Sequence, residues 1–316
     1  MRTVLAATIR DGSVVVEEHP DPEPGAGEIL VRVRAAGLNG ADMLQRKGAY
    51  PAPPGSPQDI PGLELAGEVA ARGPGATRFD EGDRVMAVVG GGGQAELAVV
   101  HERAAMPVPG ALDWPAAGGF PEVFTTAHDA VFTQAGLAPG ERLLVHGAAG
   151  GVGTAAVQLG RAAGARVTAT VRNESLRAGV EELGAEVIDP QGFDEQGPFD
   201  VVLELVGGPN MAGNLKALGL GGRIAVIGVG GGPKAELNLL ALMGKRARIH
   251  GSTLRARPLE QKADAARRVE RHVLPLVEDG SVSVPVAETF PLARVEEAYE
   301  RFAAGGKLGK VVVLLS

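Results

Sequence analysis

Hydrophobic and polar positions change rhythm twice along this chain of 316 residues. Up to about Phe120 the rhythm is that of β-structure. Apolar and β-branched runs predict strands over residues 13–18, 28–36, 64–72, 84–89 and 95–100, separated by turn-rich stretches such as 19–27. Residues 39–46 predict a short helix that leads into 50–61, a proline-dense loop of the kind that often lines sites. A helix is predicted over 122–133. From Glu141 strands and helices alternate, with strands at 142–145, 165–171, 186–188, 200–206, 223–227 and 248–252, the pattern of a doubly wound parallel sheet. Only residues 190–199 join two of these strands, too few for a crossover helix, so a loop is expected there. Past Arg257 the pattern predicts a helix over 260–276, a strand near 283–286, an amphipathic helix over 295–303 with Tyr299 on its apolar face, and a last strand over 309–314. Internal repeats and low-complexity segments are absent.

Residues 141–173, ERLLVHGAAGGVGTAAVQLGRAAGARVTATVRN, lay out strand, glycine turn, helix and second strand in one run. Val152, Ala155, Ala156, Leu159 and Ala163 recur at helical spacing, and Gly164 is placed to end the helix. The turn Gly147, Ala148, Ala149, Gly150, Gly151, Val152, Gly153 would bring backbone N–H groups and a helix N-terminus to a pyrophosphate. Ala148 interrupts the G-x-G-x-x-G spacing, so the reading rests on the strand before, the helix and second strand after. That second strand ends without a carboxylate for a ribose 2′-hydroxyl until Glu174, and instead offers Arg172 and Asn173. A guanidinium there suits a 2′-phosphate, which predicts NADPH over NADH.

Composition then narrows the classes. A hydrophobic fraction of 45% with 22% charged residues describes a globular chain, and no apolar run approaches a membrane span. The N-terminal apolar run is too short for a signal peptide and is interrupted by Arg10 and Asp11, so a cytoplasmic location is expected. A net charge of −7 without a basic block argues against nucleic acid as a partner. The lack of cysteine removes disulfides, thiolate nucleophiles and thiolate-held zinc, and the 6 histidines, His19, His101, His128, His146, His250 and His272, include no close-spaced ligand pair.

With these residues read, the chain resembles the zinc-free quinone oxidoreductases of the medium-chain dehydrogenase/reductase superfamily, the zeta-crystallin-like branch, over nearly its whole length. The resemblance is carried by AAGLNGADMLQRKGAY (35–50), PGLELAGEV (61–69), GDRVMAVVGGGGQAELAVV (82–100), HGAAGGVGTAAVQLGR (146–161), ELGA (182–185) and GKVVVLL (309–315), in the family order. Within it the chain is most similar to the subgroup of the tumour-suppressor-induced quinone oxidoreductase. The resemblance implies an α/β protein: a GroES-like, β-rich catalytic domain formed by residues 1–121 and 257–316, with a Rossmann NADPH-binding domain, 122–256, inserted between them. Zinc-dependent members of the superfamily carry a cysteine and Gly-His-Glu where this chain has Gly37–Asn39 and Gly62, Leu63, Glu64, and Leu63 cannot bind metal.

The resemblance also assigns roles. It puts Asn39 and Asp42 near the nicotinamide end of the catalytic site and Tyr50 at the mouth of the substrate pocket. There the phenol would hydrogen-bond a carbonyl or relay a proton, or the ring would pack beneath the proline loop. It has Thr126 touching the carboxamide or ribose and Lys310 near the cofactor. Gly228, Val229 and Gly230 end one strand, and Gly207 and Gly208 follow another, at the sheet edge where a nicotinamide would lie. Leu176 departs from a lysine common in relatives near the 2′-phosphate, and Pro190 from a tyrosine frequent in them near the adenosine. Family members commonly dimerise through the edge strand that 248–252 would supply. Three functions stay open at this level: NADPH-dependent quinone reduction, NADPH-dependent reduction of enones or enoyl groups, and NADPH binding without turnover.

Overall fold

A computed structural model describes residues 3–315. In chain order it begins with strands β1 (Thr3–Arg10), β2 (Ser13–Pro20) and β3 (Glu28–Gly37), helix α1 (Gly40–Arg46), strands β4 (Glu64–Arg72), β5 (Arg84–Val88), β6 (Leu97–His101) and β7 (Ala105–Pro107), and helices α2 (Trp114–Gly118) and α3 (Pro121–His128). Next come β8 (Arg142–Val145), α4 (Gly151–Ala162), β9 (Arg166–Thr170), α5 (Arg177–Glu182), β10 (Glu186–Ile188), β11 (Phe199–Glu204), α6 (Met211–Ala217), β12 (Leu218–Val226), α7 (Leu239–Lys245) and β13 (Arg248–Gly251). The chain ends with α8 (Leu259–His272), α9 (Leu274–Glu278), β14 (Val286–Pro291), α10 (Val295–Ala304) and β15 (Lys310–Leu314). It divides into two compact units, residues 3–125 with 254–305 and 310–315, and residues 126–253 with 306–309.

The first unit is built on a seven-stranded sheet in the order β14-β15-β3-β4-β5-β7, with β6 also on β3, and a separate β1-β2 hairpin. Alternating strand residues such as Ile29, Val31 and Val33 enter one core with Leu65, Val85, Val311 and Val313, closed from the helix side by Ala298 and Tyr299 of α10. Tyr299 is fully buried, as its place on the apolar helix face predicts, and its hydroxyl donates to Gln94 Oε1 at 3.0 Å. The registers that matter for function meet at the end of β3. Val312 of the antiparallel β15 lies opposite Gly37, and Ala66 of β4 lies opposite Ala35. Continued by two residues, these pairings bring Lys310 beside Asn39 and Glu64 beside Gly37.

The second unit is a six-stranded parallel sheet in the order β10-β9-β8-β11-β12-β13. Its strands run outward to one edge and then restart at the centre, which is the Rossmann order. The buried runs Leu143–Leu144–Val145 and Val201–Val202–Leu203 give the continuous apolar strands that a sheet covered on both faces requires. As expected, no crossover helix joins β10 to β11, where the connection holds only a 3₁₀ turn at Phe193–Glu195. α4 stops at Ala162 and Gly164 takes the left-handed φ of +77°.

Several elements depart from the sequence reading. β1 lies outside the predicted strands, yet it pairs with β2 along its full length. The strand expected near 283–286 lies instead at Val286–Pro291, where it is an edge strand on β15. The helix expected over 260–276 breaks after His272 and restarts at Leu274, since Pro275 has no N–H for a continuous ladder. The helix over 122–133 changes pitch, with a π-helical turn at Asp129–Gln134 following α3. Among the described residues no helix is long and apolar enough to cross a membrane.

Candidate active site

In the first unit Asn39 and Asp42, two of the three residues predicted to be catalytic, join Lys310 and Glu64 in a buried polar network. Lys310 Nζ donates to Leu38 O at 2.7 Å and to Asn39 Oδ1 at 2.7 Å, and lies 2.7 Å from Glu64 Oε1. Asn39 Nδ2 donates to the same Glu64 oxygen at 2.9 Å, and the backbone N–H of Glu122 donates to Glu64 Oε2 at 2.8 Å. Gly37 makes the cluster possible, because a Cβ there would stand 2.3 Å from Glu64 Oε1. Asp42, at the third position of α1, accepts from Asn39 N at 2.8 Å, half of a capping box, and from Gly62 N at 3.0 Å. Gly62 has φ +104° and a Cβ on it would meet Gln94 N at 2.6 Å, so the turn that presents its N–H requires glycine. Burial pushes the Asp42 carboxyl up to about 6, against the opposing pull of the two backbone donors and of Lys310.

The network changes what these residues can do. Asn39 has its amide engaged at both ends, and the three donors of Lys310 are spent on three protein acceptors. These contacts tie the end of β3 to the start of α1. Lys310, predicted to lie near a cofactor, belongs to the first unit, and its ammonium is held within this network.

Tyr50 stands apart. Its backbone carbonyl accepts from Arg255 Nη1 at 2.9 Å, and its ring lies 5.2 Å from the Arg255 guanidinium. Among the described residues its phenol has no hydrogen-bond partner. Arg255, which sequence reasoning missed, also donates to Gly90 O at 2.8 Å and to Gln45 Oε1 at 2.5 Å, and so ties the start of the proline loop to α1 and to Gly90. No local pattern marks it, since its partners are up to 210 positions away.

The donor set does not fit zinc. A fixed ammonium sits on Glu64 where a divalent cation would need that carboxylate, and among the described residues no group of three or more His, Asp or Glu side chains could hold a metal ion.

In the second unit the glycine turn has the geometry of a phosphate cradle. Gly147 takes the left-handed turn at φ +61°, so Ala148 carries an ordinary backbone and is tolerated at its position in the motif. Ala148 N donates to Thr170 O at 3.3 Å and Gly150 N to Gly147 O at 3.1 Å, which fixes Ala149 between them. Gly150 caps α4, and the first-turn N–H groups of Gly151, Val152 and Gly153 face the loop without acceptors inside the helix. A Cβ on Gly153 would stand 2.6 Å from Ala148 Cα and from Gly147 O. This backbone cradle, which any side chain at Gly153 would fill, fits the pyrophosphate of a nicotinamide dinucleotide.

After the end of β9, Arg172 is exposed and among the described residues has no hydrogen-bond or ion-pair partner, while Asn173 accepts from Ser175 N at 3.1 Å and its Nδ2 has no acceptor among them. Arg177, a second missed residue, ties this corner by donating to Val171 O at 3.1 Å and to Asp189 at 2.6 Å. Gly207, Gly228, Val229 and Gly230 come together at the sheet edge. Gly208 N donates to Gly232 O at 2.8 Å, Gly231 N to Val206 O at 2.8 Å and Gly228 N to Glu204 O at 3.1 Å. Gly207 has φ +112°, and a Cβ there would meet Gly232 O at 2.7 Å. Thr126 is buried on α3.

Known proteins resemble the chain over nearly its whole length. Residues 25–110 match the alcohol dehydrogenase GroES-like domain and residues 151–271 match the zinc-binding dehydrogenase family. The chain is 32% identical to the quinone oxidoreductase of Rattus norvegicus over 93% of its own length and 91% of that protein. It is 34% identical to polyketide synthase GfsB of Streptomyces halstedii over 91% of this chain and 5% of that protein. Among solved structures, an alcohol dehydrogenase superfamily protein from Novosphingobium aromaticivorans superposes with a TM-score of 0.87 at 29% identity, covering 99% of this chain and 100% of that one.

Proposed function

As a member of the quinone oxidoreductase family of the medium-chain dehydrogenase/reductase superfamily, this chain is an oxidoreductase, and we propose that it reduces quinones with NADPH, without a metal. The observation that carries the cofactor part of the reading is Arg172. It is an exposed guanidinium with no partner among the described residues, just past the second Rossmann strand, where a ribose-binding carboxylate would otherwise stand. When bound, the nicotinamide supplies a hydride, and a quinone suits a metal-free site because its reduced ring stabilises the charge it gains.

The residues divide the remaining work. The Gly147–Gly153 cradle binds the pyrophosphate and Arg172 with Asn173 Nδ2 binds the 2′-phosphate. The laced turns of Gly207 and Gly228–Gly230 shape the place of the nicotinamide. Asn39, Asp42, Glu64 and Lys310 hold the backbone of the catalytic unit rigid, and the Tyr50 phenol donates to the acceptor carbonyl. In this reading the protein is a homodimer through the edge of β13, next to which α7 exposes Leu239, Leu240 and Met243.

The test is loss of NADPH absorbance against a panel of quinones and small enones, with NADH in parallel. Turnover of quinones with NADPH preferred is the expected result. Activity confined to enones would replace the acceptor class, and tight NADPH binding with no turnover on either panel would replace catalysis by nucleotide binding alone.

A further inference from the structure

The cofactor unit contains a buried side-chain relay that none of the site residues above includes. His146 follows β8 directly and precedes Gly147 of the phosphate cradle. Its Nδ1 lies 3.0 Å from Thr170 Oγ1, at the end of β9, and its Nε2 lies 2.7 Å from Asn214 Oδ1 on α6. Asn214 Nδ2 donates to Glu204 Oε2 at 2.6 Å. The other oxygen of Glu204 accepts from Val206 N at 2.6 Å, Gly207 N at 2.7 Å and Asn210 Nδ2 at 3.3 Å. His146, Thr170, Asn214 and Glu204 are all buried, and the edge of the His146 ring is packed on Phe193.

Chemistry gives this chain of contacts one direction. Glu204 accepts at both oxygens, so Asn214 turns its Nδ2 toward it and its Oδ1 toward His146. His146 must then carry its proton on Nε2, which leaves Nδ1 to accept from the Thr170 hydroxyl. Burial holds the imidazole below its ordinary range, and Glu204, 3.9 Å away, opposes that shift. Each contact then pairs one donor with one acceptor. The relay thereby links the ends of β8, β9 and β11, the three strand ends from which the Gly147 cradle, Arg172 and the Gly207 turn emerge.

We propose that Glu204, Asn214 and His146 are positioning residues for the dinucleotide: their one-way hydrogen-bond relay sets the Gly207 turn at a fixed distance from the Gly147 cradle. This rests on the reading of the second unit as an NADPH site. None of the three side chains needs to touch the nucleotide, and their effect passes through the turns whose backbone they fix.

The relay's direction supplies the test. Asn214→Asp sets a second carboxylate against Glu204 where a donor stood 2.6 Å away, which breaks the relay. Adding Glu204→Gln restores it. The new amide at position 204 donates to the new carboxylate at position 214, which still accepts from His146, and the amide oxygen takes over the N–H groups of Val206 and Gly207. NADPH dissociation constants are measured by titration calorimetry on wild type, the single variant and the exchanged pair, with circular dichroism for folding and KM for the acceptor alongside. The single variant is expected to bind NADPH about tenfold more weakly or worse, with acceptor KM unchanged, and the exchanged pair to return to within about threefold of wild type. A folded Asn214→Asp variant with wild-type affinity overturns the proposal. So does an exchanged pair that is unfolded or stays weak, and this second arm decides the matter if the single variant does not fold. A wild-type protein that binds neither NADPH nor NADH overturns the cofactor reading itself, and the proposal with it.

Discussion

Lys310 and Glu64 form an ion pair at 2.7 Å with side chains only 3% and 0% exposed. Two charges so far from water persist because every remaining valence is met: Leu38 O and Asn39 Oδ1 on the lysine, Asn39 Nδ2 and Glu122 N on the carboxylate. Removing one partner leaves the other charge buried. Lys310→Met is expected to destabilise the protein by about 3 kcal/mol in urea denaturation, and Lys310→Met with Glu64→Gln to recover much of that loss. Additive losses in the double variant would show that the pair is not coupled.

Asp42 makes stability pH-dependent in a direction opposite to most carboxylates. Its carboxyl is held at about 6 in the folded protein against 3.8 as the ordinary value, so the folded state binds the proton more tightly. Its contribution is therefore fully present below 3.8 and is lost as pH rises through about 6, a change on the order of 3 kcal/mol. Comparing stability against pH for wild type and Asp42→Asn isolates this contribution. The wild-type curve should fall relative to that of the variant as pH rises across the window, and parallel curves would contradict it.

Arg172 separates the two nicotinamide cofactors. Arg172→Ala should weaken NADPH about tenfold and leave NADH within about twofold, because only the 2′-phosphate gains from the guanidinium. Equal losses for both nucleotides in a binding titration would move the residue's role to the shared part of the cofactor.

Tyr50 distinguishes a phenol that acts from a ring that packs. Tyr50→Phe keeps the aromatic face against Arg255 and removes only the hydroxyl. A fall in kcat of about a hundredfold with unchanged melting temperature is expected if the phenol donates to the acceptor. Unchanged kcat would leave Tyr50 as packing beneath the proline loop.

Most of the fold was legible because its signals are local. The switch from strands to strand–helix alternation marked the Rossmann unit, and Arg142–Val145 and Glu186–Ile188 form strands at the expected positions. The misplaced strand at Val286–Pro291 is mostly exposed and pairs on one side only, so its sequence carries little apolar alternation. The site was legible in its glycine turn, where each position answers to a backbone requirement, but not in its polar networks. Asn39, Glu64 and Lys310 meet only because β15 and β4 both pair with β3, across a separation of 271 positions for Asn39 and Lys310. Arg255, His146, Glu204 and Asn214 are similarly assembled by tertiary structure, and no spacing along the chain announces them.

The proposed function turns on direct hydride transfer from NADPH to a quinone. A single-turnover experiment with NADPH deuterated at the transferring carbon, mixed with enzyme and a simple quinone, tests it without interference from product release. Acceptor-dependent oxidation with a primary isotope effect and deuterium lost from the nicotinamide is the predicted result. NADPH that stays bound and unoxidised through the quinone pulse, or is oxidised at a rate indifferent to the label, would contradict it.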